Sequence, residues 1–133
     1  MKVEVRQRLT KARRLGRVAR GYDAEEDPEG VAHHAYYAMF NAATAVLLER
    51  HGAIPKTHSA IVSQFGLLIR DMPGEARSHG RALREGFELR LLADYDAGAS
   101  GLSERARNAL ASARSFVAFA ATLVAKPSRP RRT

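Results

Sequence analysis

The chain of 133 residues contains no cysteine, so neither a disulfide nor a thiolate metal site can form. Its longest apolar run, Phe116 to Ala125, is far shorter than the roughly 20 residues a membrane-spanning helix needs, and no membrane contact is expected. The N-terminal MKVEVRQRLTKARRLGRVARG mixes charge with apolar residues and lacks the continuous apolar segment of a signal peptide; a cytoplasmic location is therefore expected. Glycine-rich phosphate loops, a GxSxG elbow and an HExxH pair are missing too. The corresponding nucleotide hydrolases, serine hydrolases and zinc proteases are excluded, and no cofactor is expected. No segment alternates apolar and polar residues strictly, which leaves no candidate strand.

What is present fits one all-α domain over 1–125, followed by a basic tail, 126–133, with the composition of a disordered segment. The net charge of +8 is uneven. Residues 1–20 carry +7 and residues 126–133 carry +4, while the body between them carries −3. The high pI thus belongs to the two ends, either as a solvated helix face and tail or as a surface for RNA phosphates.

Five helices are expected. The first covers about 2–20 with Val5, Leu9, Ala12, Leu15 and Ala19 as its apolar face. The second follows the start signal Asp27-Pro28 and ends at Gly52. Thr57 or Ser59 caps the third, which carries Ile61, Val62, Phe65, Leu68 and Ile69 and stops at the breaker DMPG. A fourth, about 75–95, is expected to bury Leu83, Phe87 and Leu91, with Gly80 and Gly86 allowing close approach of a neighbour. The fifth is expected to start at Ser103 as cap. Short connections between long amphipathic helices favour an up-and-down antiparallel bundle of four to five helices.

The second helix is apolar nearly all round and belongs at the centre of such a bundle. His33, Tyr37, Asn41 and Thr44 nevertheless form a narrow polar strip along it, and buried polar groups need partners. A second polar surface, a second subunit or a ligand is expected there. Tyr36 and Tyr37 have the size to stack on bases, or to serve as core aromatics with internal hydroxyl partners.

The five histidines do not make a metal site by spacing. His33 and His34 point about 100° apart on a helix, and His51, His58 and His79 lie in different segments without a carboxylate at ligand spacing. Thr57, His58 and Ser59 stand at a helix start, where free amides attract an anion or simply receive a cap. Arg90 and Asp94 share a helix face and can pair. With Tyr95 they form either a polar site or a brace that holds the fourth helix to the core.

Taken together, AYYAMFNAATAVLL, KTHSAIVSQF, FELRLLADYD and an alanine-rich last helix resemble the HEPN family of prokaryotic helical domains, in order and over nearly the whole chain. The resemblance implies a helical bundle that pairs as a homodimer. It also implies operation beside a nucleotidyltransferase protein, often as a toxin and antitoxin pair, with Tyr36, Tyr37, Asn41, Thr57, His58, Ser59, Arg90, Asp94 and Tyr95 as candidates for ligand, nucleotide or partner binding. Many members are metal-independent ribonucleases whose signature is Arg, four to six residues, then His. No pair here has that gap: Arg50 adjoins His51 and precedes His58 by seven intervening residues. Two alternatives stay open beside a dimeric binding component. One is a metal-independent RNA endonuclease in which His58 moves the proton and Arg50 or Arg90 stabilises the phosphorane. The other is a basic nucleic-acid-binding module without catalysis.

Overall fold

The computed structural model describes residues 2–96 and 98–125. It has five helices, α1 (Val3–Arg20), α2 (Pro28–His51), α3 (His58–Ile69), α4 (Ala76–Tyr95) and α5 (Leu102–Ala125), with no strand among the described residues. This is the all-α bundle the patterning implies. The tail at 126–133 lies outside the described residues.

Residue chemistry sets the helix ends. Asp27 Oδ1 accepts the Gly30 amide at 2.9 Å, and Pro28 occupies the first helical position, where its missing N–H is not needed. Gly52 closes α2 at φ 77°, in the left-handed region that disfavours side chains, and its N–H reaches Leu48 O at 2.9 Å. Of the two residues able to cap α3, Thr57 does so, its Oγ1 accepting the Ala60 amide at 3.1 Å. The expected cap of α5 is displaced: the helix begins at Leu102, after Gly101 turns the chain at φ 75°, so Ser103 lies inside the first turn.

α2 is the axis of the bundle. From Asn41 to Leu48 every residue is buried, so this part of the helix has no solvent face. α1, α3, α4 and α5 all pack against it. Arg8 meets Thr44 and Tyr22 meets His34, which sets α1 antiparallel to α2. Met39 against Gly86 and Tyr37 against Arg90 set α4 antiparallel as well. α5 runs alongside α2, with Arg107 paired to Glu25 at one end and Arg50 bonded to Leu123 O at the other. α3 starts at Tyr36 and Phe87 and ends beside Gly80, so it also runs parallel to α2. Residues 52–57 therefore carry the chain back along α2 before α3 begins, so the expected up-and-down alternation is broken between α2 and α3, while the all-α bundle stands.

Two expectations about buried faces change. α4 places Leu83, Gly86, Leu89 and Ala93 in the core, whereas Phe87 and Leu91 are only half-buried. The rotation follows from Gly86, which lies so close to Met39 that a Cβ there would come within 2.6 Å of the Met39 methyl. α5 is long and apolar enough by length and composition to cross a membrane, a property hidden when only unbroken apolar runs are counted. Here its apolar face, including Ala106, Ala113, Phe116, Ala120 and Val124, is buried against the other helices of the bundle.

Glycines at two helix positions should respond oppositely to substitution. Gly66→Ala adds a methyl that meets nothing within 4 Å and should raise unfolding free energy by about 1 kcal/mol through helix propensity. Gly86→Val should lower it by about 1–3 kcal/mol through overpacking against Met39. Urea unfolding followed by circular dichroism measures both.

Candidate functional site

The polar strip of α2 divides into a satisfied half and an open half. Asn41 and Thr44 are buried, but they find partners inside the chain. Asn41 Nδ2 donates to Tyr37 O at 2.8 Å, Thr44 Oγ1 donates to Asn41 O at 2.8 Å, and Arg8 donates to Thr44 Oγ1 at 3.3 Å. Of the expected partners for the strip, a polar surface within the chain satisfies these two residues, without a second subunit or ligand. The arginine of α1 supplies the missing partner.

The open half is a cluster where α2, α3 and α4 meet. Tyr36 is fully buried, and its phenol oxygen is hydrogen-bonded to His58 Nδ1 at 2.7 Å, the direction of the bond following the imidazole tautomer. The N-cap at Thr57 fixes His58 as the first residue of α3. Its ring then stacks on Phe40 at 4.3 Å and lies 5.8 Å from Tyr37 and 6.2 Å from Phe87. From α4, the Arg90 guanidinium sits 5.5 Å from the Tyr37 ring centre and 5.9 Å from that of Tyr36, within cation–π range. Arg90 Nε approaches Asp94 Oδ2 at 3.5 Å as an ion pair but makes no hydrogen bond. In this partly exposed geometry the pair contributes at most about 1 kcal/mol.

Electrostatics keep the cluster uncharged apart from that pair. Burial, and then the neighbouring Arg90 cation, hold His58 below the ordinary imidazole value. His33 is lowered by burial, then by His34 and Arg90, while Asp94 opposes the shift. Burial, followed by Tyr37, raises the Tyr36 phenol far above its usual range, against the pull of Arg90. A neutral imidazole beside a neutral phenol is the state that the His58 and Tyr36 shifts favour.

The structure thus brings Tyr36, Tyr37, His58, Arg90 and Asp94 together, with Asn41 one turn away on α2. Thr57 and Ser59 are exposed at the α3 start, where Thr57 is occupied as a cap. Tyr95 is 87% exposed and makes no ring contact with the cluster. Arg50 is far from His58 in this arrangement. It stands fourteen residues beyond Tyr36 on α2, a rise of about 21 Å, and bonds to Leu123 O at 3.4 Å. Sequence reasoning missed Phe40 and Phe87 as the apolar walls of His58, although Phe40 shares a helix face with Tyr36 and Tyr37 at i+4 and i+3. His34 bonds Gly30 O at 2.8 Å and stacks on Tyr22, a local role at the start of α2. Among the described residues no group of three or more histidine or acidic side chains converges on a metal position.

Comparison with known proteins agrees with this architecture. The family model of the HEPN domain matches residues 5–123. A protein of Methanocaldococcus jannaschii bearing the name "putative toxin" is 36% identical over 61 residues, covering 46% of this chain and 45% of that protein. The aligned stretch is thus less than half the length of either protein.

Lowered imidazole values make stability fall on acidification. His33, His58 and His79 all bind their proton more weakly folded than unfolded. Their penalty is absent above the unfolded value of 6.5 and develops as pH falls below it, until each folded group titrates. Urea unfolding should show stability declining below that pH. In an NMR titration, Arg90→Gln should raise the midpoints of both His58 and His33 and leave His79 unmoved.

Proposed function

The chain belongs to the HEPN domain family, and from that premise we propose that it is the HEPN component of a toxin–antitoxin-type pair, acting through the Tyr36–Tyr37–His58–Arg90 cluster. In this reading the cluster is a recognition surface. It joins two copies of the chain through α2 and α4 and engages a nucleotidyltransferase partner or its nucleotide. The observation that carries the reading is the half-buried Arg90 lying against two tyrosine rings, the buried Tyr36 and the partly exposed Tyr37. Arginine and tyrosine held rigidly together are the residue types that dominate protein interfaces, and the same cation and ring faces suit a phosphate and a base.

Tyr37 is the informative position because Tyr36 is a core residue and Tyr37 is not. Sedimentation velocity should show a dimer for the native chain. Tyr37→Ala and Arg90→Gln should each weaken association about tenfold or more, with circular dichroism unchanged. A native chain that sediments as a monomer at all concentrations, or variants that associate as the native chain does, would sink the reading.

A metal-independent RNA endonuclease is the second reading, favoured by one feature: a neutral imidazole able to exchange a proton lies beside an arginine, the pairing that acid–base cleavage of a phosphodiester requires. Here the cation is Arg90 and not Arg50. Total RNA incubated with purified protein in chelator should be cleaved by the native chain and spared by His58→Ala if this reading holds. Equal cleavage by both, or none by either, removes it.

A further inference from the structure

On the opposite side of α2 from the cluster, α1 and α5 enclose a trough of about 480 Å³ that the proposed function leaves unused. Its floor is built of small apolar groups, chiefly Ala12, Gly16, Ala113 and Val117. Its rim carries Arg13, Arg17 and Arg20 from α1 and Arg114 from α5. Among the described residues no carboxylate lines it. Glu4, the one acid of α1, is turned to Arg8 at 3.4 Å. The four rim arginines enter none of the ion pairs or side-chain hydrogen bonds found among the described residues. Guanidinium groups crowded round an apolar floor without counter-charge repel one another, and an acidic occupant relieves that repulsion.

We propose that this trough docks an acidic amphipathic helix of a protein partner, with aliphatic side chains on the methyl floor and carboxylates on the rim arginines. The dimensions match such an occupant. The lining residues span Ala12 to Arg20 on α1 and Ala113 to Ala121 on α5, about 12 Å or two helical turns. Arginine forks hold carboxylates bidentately, and a helix laid in a groove places acids at i and i+4 along each wall. The floor argues against RNA, because it presents no hydrogen-bonding side chain to a base edge or a ribose hydroxyl and no aromatic ring for stacking. Open volume remains above Gly16, where an added Cβ would meet only the Arg20 guanidinium, at 3.9 Å.

The test uses the full chain and a fluorescein-labelled 16-residue helical peptide of Ala, Leu and Glu, with its apolar residues on one face and Glu along both margins. Fluorescence anisotropy should show saturable binding that weakens as salt rises. Gly16→Leu, which fills the trough on a helix that favours leucine over glycine, should weaken binding about tenfold or more. The double variant Arg13→Glu with Arg17→Glu should do the same. Lys11→Glu, an exposed position on α1 outside the trough, should change it no more than about twofold, and circular dichroism should report native helix content for all. No saturable binding up to about 1 mM overturns the proposal, as does equal binding of a scrambled peptide of the same composition. It is also overturned if a uridine oligonucleotide displaces the peptide and its own binding is lost in Gly16→Leu, or if that substitution abolishes self-association, which would assign the trough to a second copy of this chain.

Discussion

A helix with no solvent face over Asn41–Leu48 constrains every other part of this molecule. Burying both polar and apolar sides of α2 requires neighbours in all directions, and four helices supply them. It also requires that each polar atom on α2 find a partner within the bundle, because an unmet hydroxyl or amide there costs about 1–3 kcal/mol. Asn41 and Thr44 turn back onto the α2 backbone, a solution open to short polar side chains in a helix. Tyr36 is too long for that. Its hydroxyl projects past the α2 surface and must be met by another element, and His58 at the start of α3 meets it. The cap at Thr57, the six-residue return from Gly52 and the position of α3 are all tied to that one bond.

The same bond shapes the chemistry of the cluster. The neutral form of His58 is favoured by burial first, and then because charging it would set a cation beside Arg90. Tyr36 stays protonated because it is buried. The remaining charge is then Arg90 with Asp94, one partner half-shielded over the tyrosine rings and the other exposed. Such a cation held on an aromatic platform is suited to recognition.

Much of this was legible in the residues. Asp27-Pro28, Gly52 and Thr57 act at helix ends through local chemistry, which depends on neighbours one turn away and can be read in sequence. The central place of α2 could be read from its lack of a polar face, and the THS and RLLADY segments already pointed to His58 and Arg90. What could not be read depends on contacts between elements. Whether α4 buries the Leu83–Phe87–Leu91 face or the Leu83–Gly86–Leu89 face turns on the Met39 methyl seated against Gly86; both faces are apolar enough to serve. Arg8 gave no sign that it, and no second subunit, would answer Thr44. Arg50 and His58 are neighbours in sequence and are parted by the length of α2, because residues 52–57 run back along the helix before α3 begins.

Charge follows the same division between what a sequence counts and what a fold pairs. A net +8 describes no surface until the acids are assigned. Asp94 goes to Arg90 and Glu4 to Arg8, each on its own helix, and Glu25 of the α1–α2 loop goes to Arg107 of α5. Among the described residues the four arginines on the rim of the trough, Arg13, Arg17, Arg20 and Arg114, receive no acid, although α4 carries Glu85 and Glu88, because α1 and α4 lie on different sides of α2 and do not touch. The unbalanced charge is therefore a consequence of the same central helix: by separating α1 from α4 it leaves a basic face without an acid from α4 to neutralise it.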